Sequence, residues 1–323
     1  MSAGRNRLLS DRTSRVVSSP APEPSSGVPS ARRRTRRGVG RVPRRAAAGR
    51  RSFASSLRRL EELAQSGAQV SVHVVELDSG RVVLSGDDHV PLPIAGLGVV
   101  PVLVETAAGF ASRALDPLRI IDRPDDHVAG SGLWRHLRAP ALPLVDLAVL
   151  AAAAGDPNAA NALLDAVGHE HVRARMVSLG MPRSAVLDLF RDVRGPDDAP
   201  HVAVGTTREF ATLFAGLVDS RAVDAAVSAQ VAEWLSLNQD LSLVASATGL
   251  DPFAHDDDAH GLLFINKTGR DRGVRAEAGV LVGPRTGVAY ALTVCFDDLS
   301  ISHRLRAHDA FRVLGTDLME FTH

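Results

Sequence analysis

The chain has 323 residues, with 37 basic and 37 acidic side chains and 45% apolar residues, enough to build a sizeable core and too apolar for a chain disordered throughout. Its one cysteine, Cys295, excludes an intramolecular disulfide and a cysteine-based zinc site. The neutral total hides an asymmetry: residues 1–51 carry 14 arginines against Asp11 and Glu23, a net +12, which leaves the remainder at −12.

Residues 1–52 are rich in Arg, Ser, Pro and Gly and poor in large apolar side chains, so they read as a disordered arm. Such an arm suits an acidic partner, nucleic acid or an anionic membrane surface, with a solvated tail as the plainer alternative. The pairs Arg44-Arg45 and Arg50-Arg51 suggest a twin-arginine export signal, but Arg58 and Arg59 soon interrupt the apolar stretch such a signal needs. No run of about 18 apolar residues predicts a membrane span, and a cytoplasmic location is the expectation.

The body, 53–323, begins with a helix over 53–66, with Phe53, Leu57, Leu60 and Leu63 on one face and Gly67 as its stop. Alternation over 70–77, a turn at 78–81 and a return over 82–85 predict a β-hairpin. An apolar helix spans 97–109. From about 100 to 245 the pattern is helical: segments 144–154 and 159–167 break at Gly155-Asp156-Pro157, 169–179 reads as amphipathic, and helices follow from Thr206, a threonine cap, and over 223–237. Strands return over 262–267, 278–282 and 288–294, and a helix over 309–318 closes the chain. The order predicts an α/β fold of two lobes: an antiparallel sheet from both chain ends, flanked by helices, with an all-helical lobe inserted.

Several motifs sit on this frame. Lys267-Thr268-Gly269 lies on a predicted strand, and Lys267 is the only lysine among 37 basic residues. Pro93-Ile94-Ala95 leads into Gly96-Leu97-Gly98-Val99 at the start of the apolar helix. Gly130-Ser131-Gly132 is a small-residue loop, and Asn161 follows Gly155-Asp156-Pro157 by one helical turn. Together these resemble the class A β-lactamase family and its penicillin-recognising serine hydrolase relatives over about residues 55–320. The resemblance implies a Ser-x-x-Lys motif, a Ser-Asp-Asn motif and a Lys-Thr-Gly motif around one cleft.

Only the last is intact. In the family register the nucleophile falls on Gly96 and its lysine on Val99, while the Ser and Asn of the second motif fall on Gly155 and Pro157. Serine chemistry needs a hydroxyl and a base to take its proton, and these positions supply neither. In the stretch 187–192 only Asp188 and Asp192 offer acids. The resemblance therefore implies a catalytically degenerate protein that keeps a cleft for a small-molecule or peptide ligand, lined by Lys267, Thr268, Gly269 and Ser131. Ser131 is also the candidate for a relocated nucleophile in an active hydrolase. No metal or cofactor is expected: the rings of His169 and His171 do not share a helix face, and His255 to His260 with Asp256–Asp258 read as a solvated loop. Gly96-Leu97-Gly98 reads as a tight packing site ahead of an anion nest.

Overall fold

The computed structural model describes residues 53–124, 128–255 and 261–323. The arginine-rich arm and the stretch Asp256 to His260 lie outside the described residues. The body opens on α1 (Ala54–Gln65), which buries Ser56, Leu60 and Leu63. β1 (Gln69–Glu76) and β2 (Val82–Gly86) form the expected hairpin. β3 (Leu92–Pro93) leads through a 3-10 turn, Ala95–Gly98, into α2 (Val99–Ala111). β4 (Ile120–Asp122) pairs with β5 (Ala141–Pro143). α3 (Leu144–Val149) continues as a π-helical turn, Leu150–Ala154. α4 (Pro157–Val167), α5 (His169–Ser178), β6 (Ala185–Val186), β7 (Ala203–Gly205), α6 (Thr207–Val218) and α7 (Ala225–Ser236) complete the helical region. β8 (Leu263–Asp271), β9 (Val274–Val282), β10 (Gly287–Cys295) and α8 (Ile301–Thr322) finish the chain.

The main sheet runs β2-β1-β10-β9-β8, each neighbour antiparallel, so its strands come from both chain ends as expected. Side-chain alternation splits the sheet between two cores. Val72, Val74, Leu281, Tyr290 and Leu292 pack with α1 and α8, whereas Ile265, Ala276, Ala278 and Ala291 pack with the helical region. α2 is apolar but for Glu105 and Thr106 and buries every residue from Val99 to Val104 and from Thr106 to Ala108, as a helix without a polar stripe must. α1 is bolted to α8 by Asp317, whose Oδ2 accepts Ser56 N–H at 3.0 Å and the Ser56 hydroxyl at 2.6 Å.

Several elements differ from the sequence reading: β8 runs past 267 to Asp271, and the short strands β4 to β7 fall within the stretch expected to be helical. α8 begins eight residues before 309, because its first turns leave Ile301 and Leu305 exposed and show no apolar stripe. β9 starts at Val274 instead of 278, since Arg275 and Glu277 interrupt its apolar pattern yet pair within the sheet. α5 is barely amphipathic and buries only Val172 and Met176.

Candidate functional site

β8 is one of the two edges of the main sheet and packs against the 3-10 turn, Ala95–Gly98, that leads into α2. Gly269 makes that approach: a Cβ there would stand 2.0 Å from the Ile94 carbonyl oxygen. The 3-10 turn is itself bent, with Ala95 at φ +49°, a strained setting for a residue other than glycine. Gly98 packs too tightly on Ala203 for a side chain, its Cβ falling 2.5 Å from that of Ala203, which supports the packing reading of Gly96-Leu97-Gly98. Gly96 is different. A Cβ there would meet only ordinary contacts, 3.5 Å from the Thr268 carbonyl oxygen, so packing does not demand a glycine.

Opposite, the π-helical turn ends at Gly155 in the left-handed region, φ +62°. A Cβ on Gly155 would lie 3.5 Å from Lys267 Nζ. Asp156 then caps α4 and is fully buried. Its Oδ1 accepts the N–H groups of Asn158 and Ala159, and its Oδ2 those of Leu133 and Trp134 at 2.6 and 2.7 Å. One carboxylate thus fixes the helix start and the loop that carries Ser131. Pro157 occupies the first helical position, where its missing N–H costs nothing.

Asn161 pins the third wall: its side-chain amide donates to the Phe190 carbonyl at 2.9 Å and accepts the Phe190 N–H at 2.8 Å. The clamp presents Phe190, an apolar side chain, to the cleft. Of the two acids in this stretch, Asp188 is turned into its own loop, bound by Arg194 at 2.9 Å and by the N–H groups of Leu189 and Ala199. Asp192 does face the cleft, where it accepts the Ser131 hydroxyl at 2.5 Å and Gly130 N–H at 2.8 Å.

These walls enclose a cavity of about 400 Å³ lined by Gly96, Val99, Ser131, Gly155, Asp156, Pro157, Phe190, Asp192, Asn238, Asp240, Lys267, Thr268 and Arg270. It gathers every expected site residue except Gly269, which serves the close approach beneath. Lys267 is 2% exposed, and burial pulls its ammonium down to about 8, against the raising effect of Asp240. Its one hydrogen bond among the described residues is to Asn238 Oδ1 at 3.4 Å.

Behind Lys267 runs a buried polar chain absent from the sequence reading. Asn238 donates to Asn266 Oδ1 at 2.8 Å, and Asn266 donates to Glu277 Oε1 at 2.7 Å. The Tyr290 hydroxyl and Val244 N–H also donate to Glu277, at 2.8 and 2.6 Å. Burial pushes the Glu277 carboxyl up to about 7, in spite of these donors. The legible signal was one acid inside an apolar strand, Val274–Val282.

Burial pushes the Cys295 thiol up to about 12 and its Sγ rests 3.7 Å from the Pro93 carbonyl, so it is no thiolate nucleophile. His171 bonds the Val167 carbonyl through Nδ1 at 2.7 Å, His255 is buried, and no metal-binding cluster occurs among the described residues. Trp134 and Trp234 are core aromatics, the latter edge-on to Phe110.

The beta-lactamase enzyme family matches residues 52–322 of this chain. No curated protein sequence matches it. Among solved structures, the fold is similar to the beta-lactamase of Sphaerobacter thermophilus, with a TM-score of 0.72 at 20% identity, covering 84% of this chain and 97% of that one. It is similar also to the chromosome-encoded beta-lactamase of Vibrio parahaemolyticus (TM-score 0.69, 15% identity, 84% and 98% covered). An ancestral class A beta-lactamase matches with a TM-score of 0.69 at 18% identity, covering 84% and 100%.

Proposed function

This chain belongs to the beta-lactamase enzyme family, and from that premise we propose that it is a catalytically degenerate member that binds a small molecule or peptide in its cleft without hydrolysing it. One observation carries the reading: the cleft is built around Gly96 and Val99 at the turn into α2, where acyl transfer would need a hydroxyl and a base. The frame around the gap is maintained by Asp156, Asn161 and Gly269, so the cavity survives the loss of its chemistry. Gly155 removes a further polar group from beside Lys267. We place the protein in the cytoplasm, on the fit of its lone Cys295 to a reducing compartment; recovery from an exported fraction would overturn that.

Incubation with a chromogenic cephalosporin and a fluorescent penicillin tests the reading. The expected outcome is no turnover and no covalent mass shift. A stoichiometric adduct or catalytic hydrolysis would overturn it. A second reading has its own observation: Ser131 faces the cleft with its hydroxyl on Asp192, the arrangement of a relocated nucleophile. Should an adduct form, loss of that adduct in Ser131→Ala would assign it to this serine.

A further inference from the structure

Within four residues, β8 presents three donors to the cleft: Lys267, Thr268 and Arg270. A row of this kind is suited to an anion. Two of the three are already engaged. Asp240 accepts the Thr268 hydroxyl through Oδ2 at 2.7 Å and the Arg270 guanidinium through Oδ1 at 2.7 Å. The carboxylate is held in place from behind: Ser242 N–H donates to Oδ1 at 3.2 Å, and the Asn238 amide donates to the Asp240 carbonyl at 3.2 Å. Lys267 keeps only its long contact to Asn238, and the absent side chain of Gly155 leaves room beside its Nζ.

We propose that Asp240 is a resident counter-ion filling the anion subsite of this cleft. The cleft then takes a neutral or cationic small molecule whose carbonyl oxygen accepts from Lys267, and it rejects carboxylates and other anions. This deepens the ligand-binding reading above and rests on it. An incoming anion would have to displace a carboxylate whose oxygens are already satisfied, then share the cavity with it. A neutral carbonyl needs only the donor that is left. The charges of the lining agree, since Asp156, Asp192 and Asp240 outnumber Lys267 and Arg270. Asp240 itself stays ionised: burial pushes its carboxyl up, but Thr268, Arg270 and Ser242 outweigh burial and hold it below the usual carboxylate range.

The single lysine supplies the probe. Full-length protein carrying lysine labelled with carbon-13 at the ε position gives one side-chain signal, from inside the cleft. That signal is followed at constant ionic strength during titration with sulfate, benzylpenicillin and benzylpenicillin methyl ester, in the wild type, Asp240→Asn and Asp240→Ala. The ester is expected to move the wild-type signal at lower concentration than the free acid or sulfate. Both variants should bind the two anions at least about tenfold more tightly than the wild type. The near-isosteric Asn variant keeps the test alive if the Ala variant fails to fold. The proposal is overturned if the wild type binds the anions as tightly as the variants do, or if natively packed variants bind neither anion. An ester that leaves the wild-type signal unmoved overturns the neutral-carbonyl assignment. A covalent mass shift with benzylpenicillin would instead sink the non-hydrolytic reading, while the ratio of anion affinities between variant and wild type would still decide the role of Asp240.

Discussion

Glu277 sits beneath the cleft wall with an asparagine amide, a tyrosine hydroxyl and a backbone N–H on its oxygens. Burial raises its carboxyl from an ordinary 4.5 to about 7, so between those pH values the folded chain holds a proton that the unfolded chain has released. Stability from this group is therefore fully present below about pH 4.5 and is lost as pH rises through about 7, by about 3 kcal/mol in all. Glu277→Gln keeps a neutral hydrogen-bonding group of the same size. Urea denaturation at pH 5 and pH 8 should show the wild type losing more stability than the variant across that interval. Equal losses would mean that Glu277 is already ionised in the folded protein at pH 5. The same chain of amides reaches Lys267, so its side-chain signal should shift as Glu277 titrates.

At the scale of elements, the cleft depends on loops held by single side chains. Asn161 makes both its bonds to the backbone of Phe190, so Asn161→Ala should free that loop while α4 stays folded. Faster proteolysis within residues 187–200, at a cost to global stability of about 1–2 kcal/mol, is the expected result; an unchanged cleavage rate would show that Arg194 and Asp188 hold the loop unaided. This scale also explains what could be read from sequence. The hairpin β1–β2, the buried helix α2 and the break at Gly155-Asp156-Pro157 were legible because alternation, continuous apolarity and turn residues act locally. The start of β9 and the first turns of α8 were not, since neither shows a local apolar pattern. At the site, Lys267 and the empty positions Gly96 and Val99 stood out by motif. Asp240 and Asn238 did not, because the strand residues they bond, Thr268 and Asn266, lie 28 residues away in sequence, and Glu277 showed only as one acid in an apolar strand, its partners Asn266, Tyr290 and Val244 lying 11, 13 and 33 residues off.

For the whole molecule the division of charge is the governing fact. Fourteen arginines precede a body of net −12, and we propose that the arm binds nucleic acid or another polyanionic surface independently of the cleft. Full-length protein should then bind DNA, RNA or anionic vesicles at low salt, lose on the order of a hundredfold in affinity between about 50 and 200 mM salt, and lose all binding when residues 1–50 are removed. Absence of binding by the full chain at low salt would end that proposal. No helix among the described residues is long and apolar enough to cross a membrane.

Lys267 is the only lysine and is almost wholly enclosed. The folded exterior therefore offers no lysine amine to acetylation, ubiquitin conjugation or succinimidyl dyes. An endoproteinase specific for lysine has one bond to cut, and that bond lies within β8. Cleavage there would count unfolding events one by one, with no competing surface site.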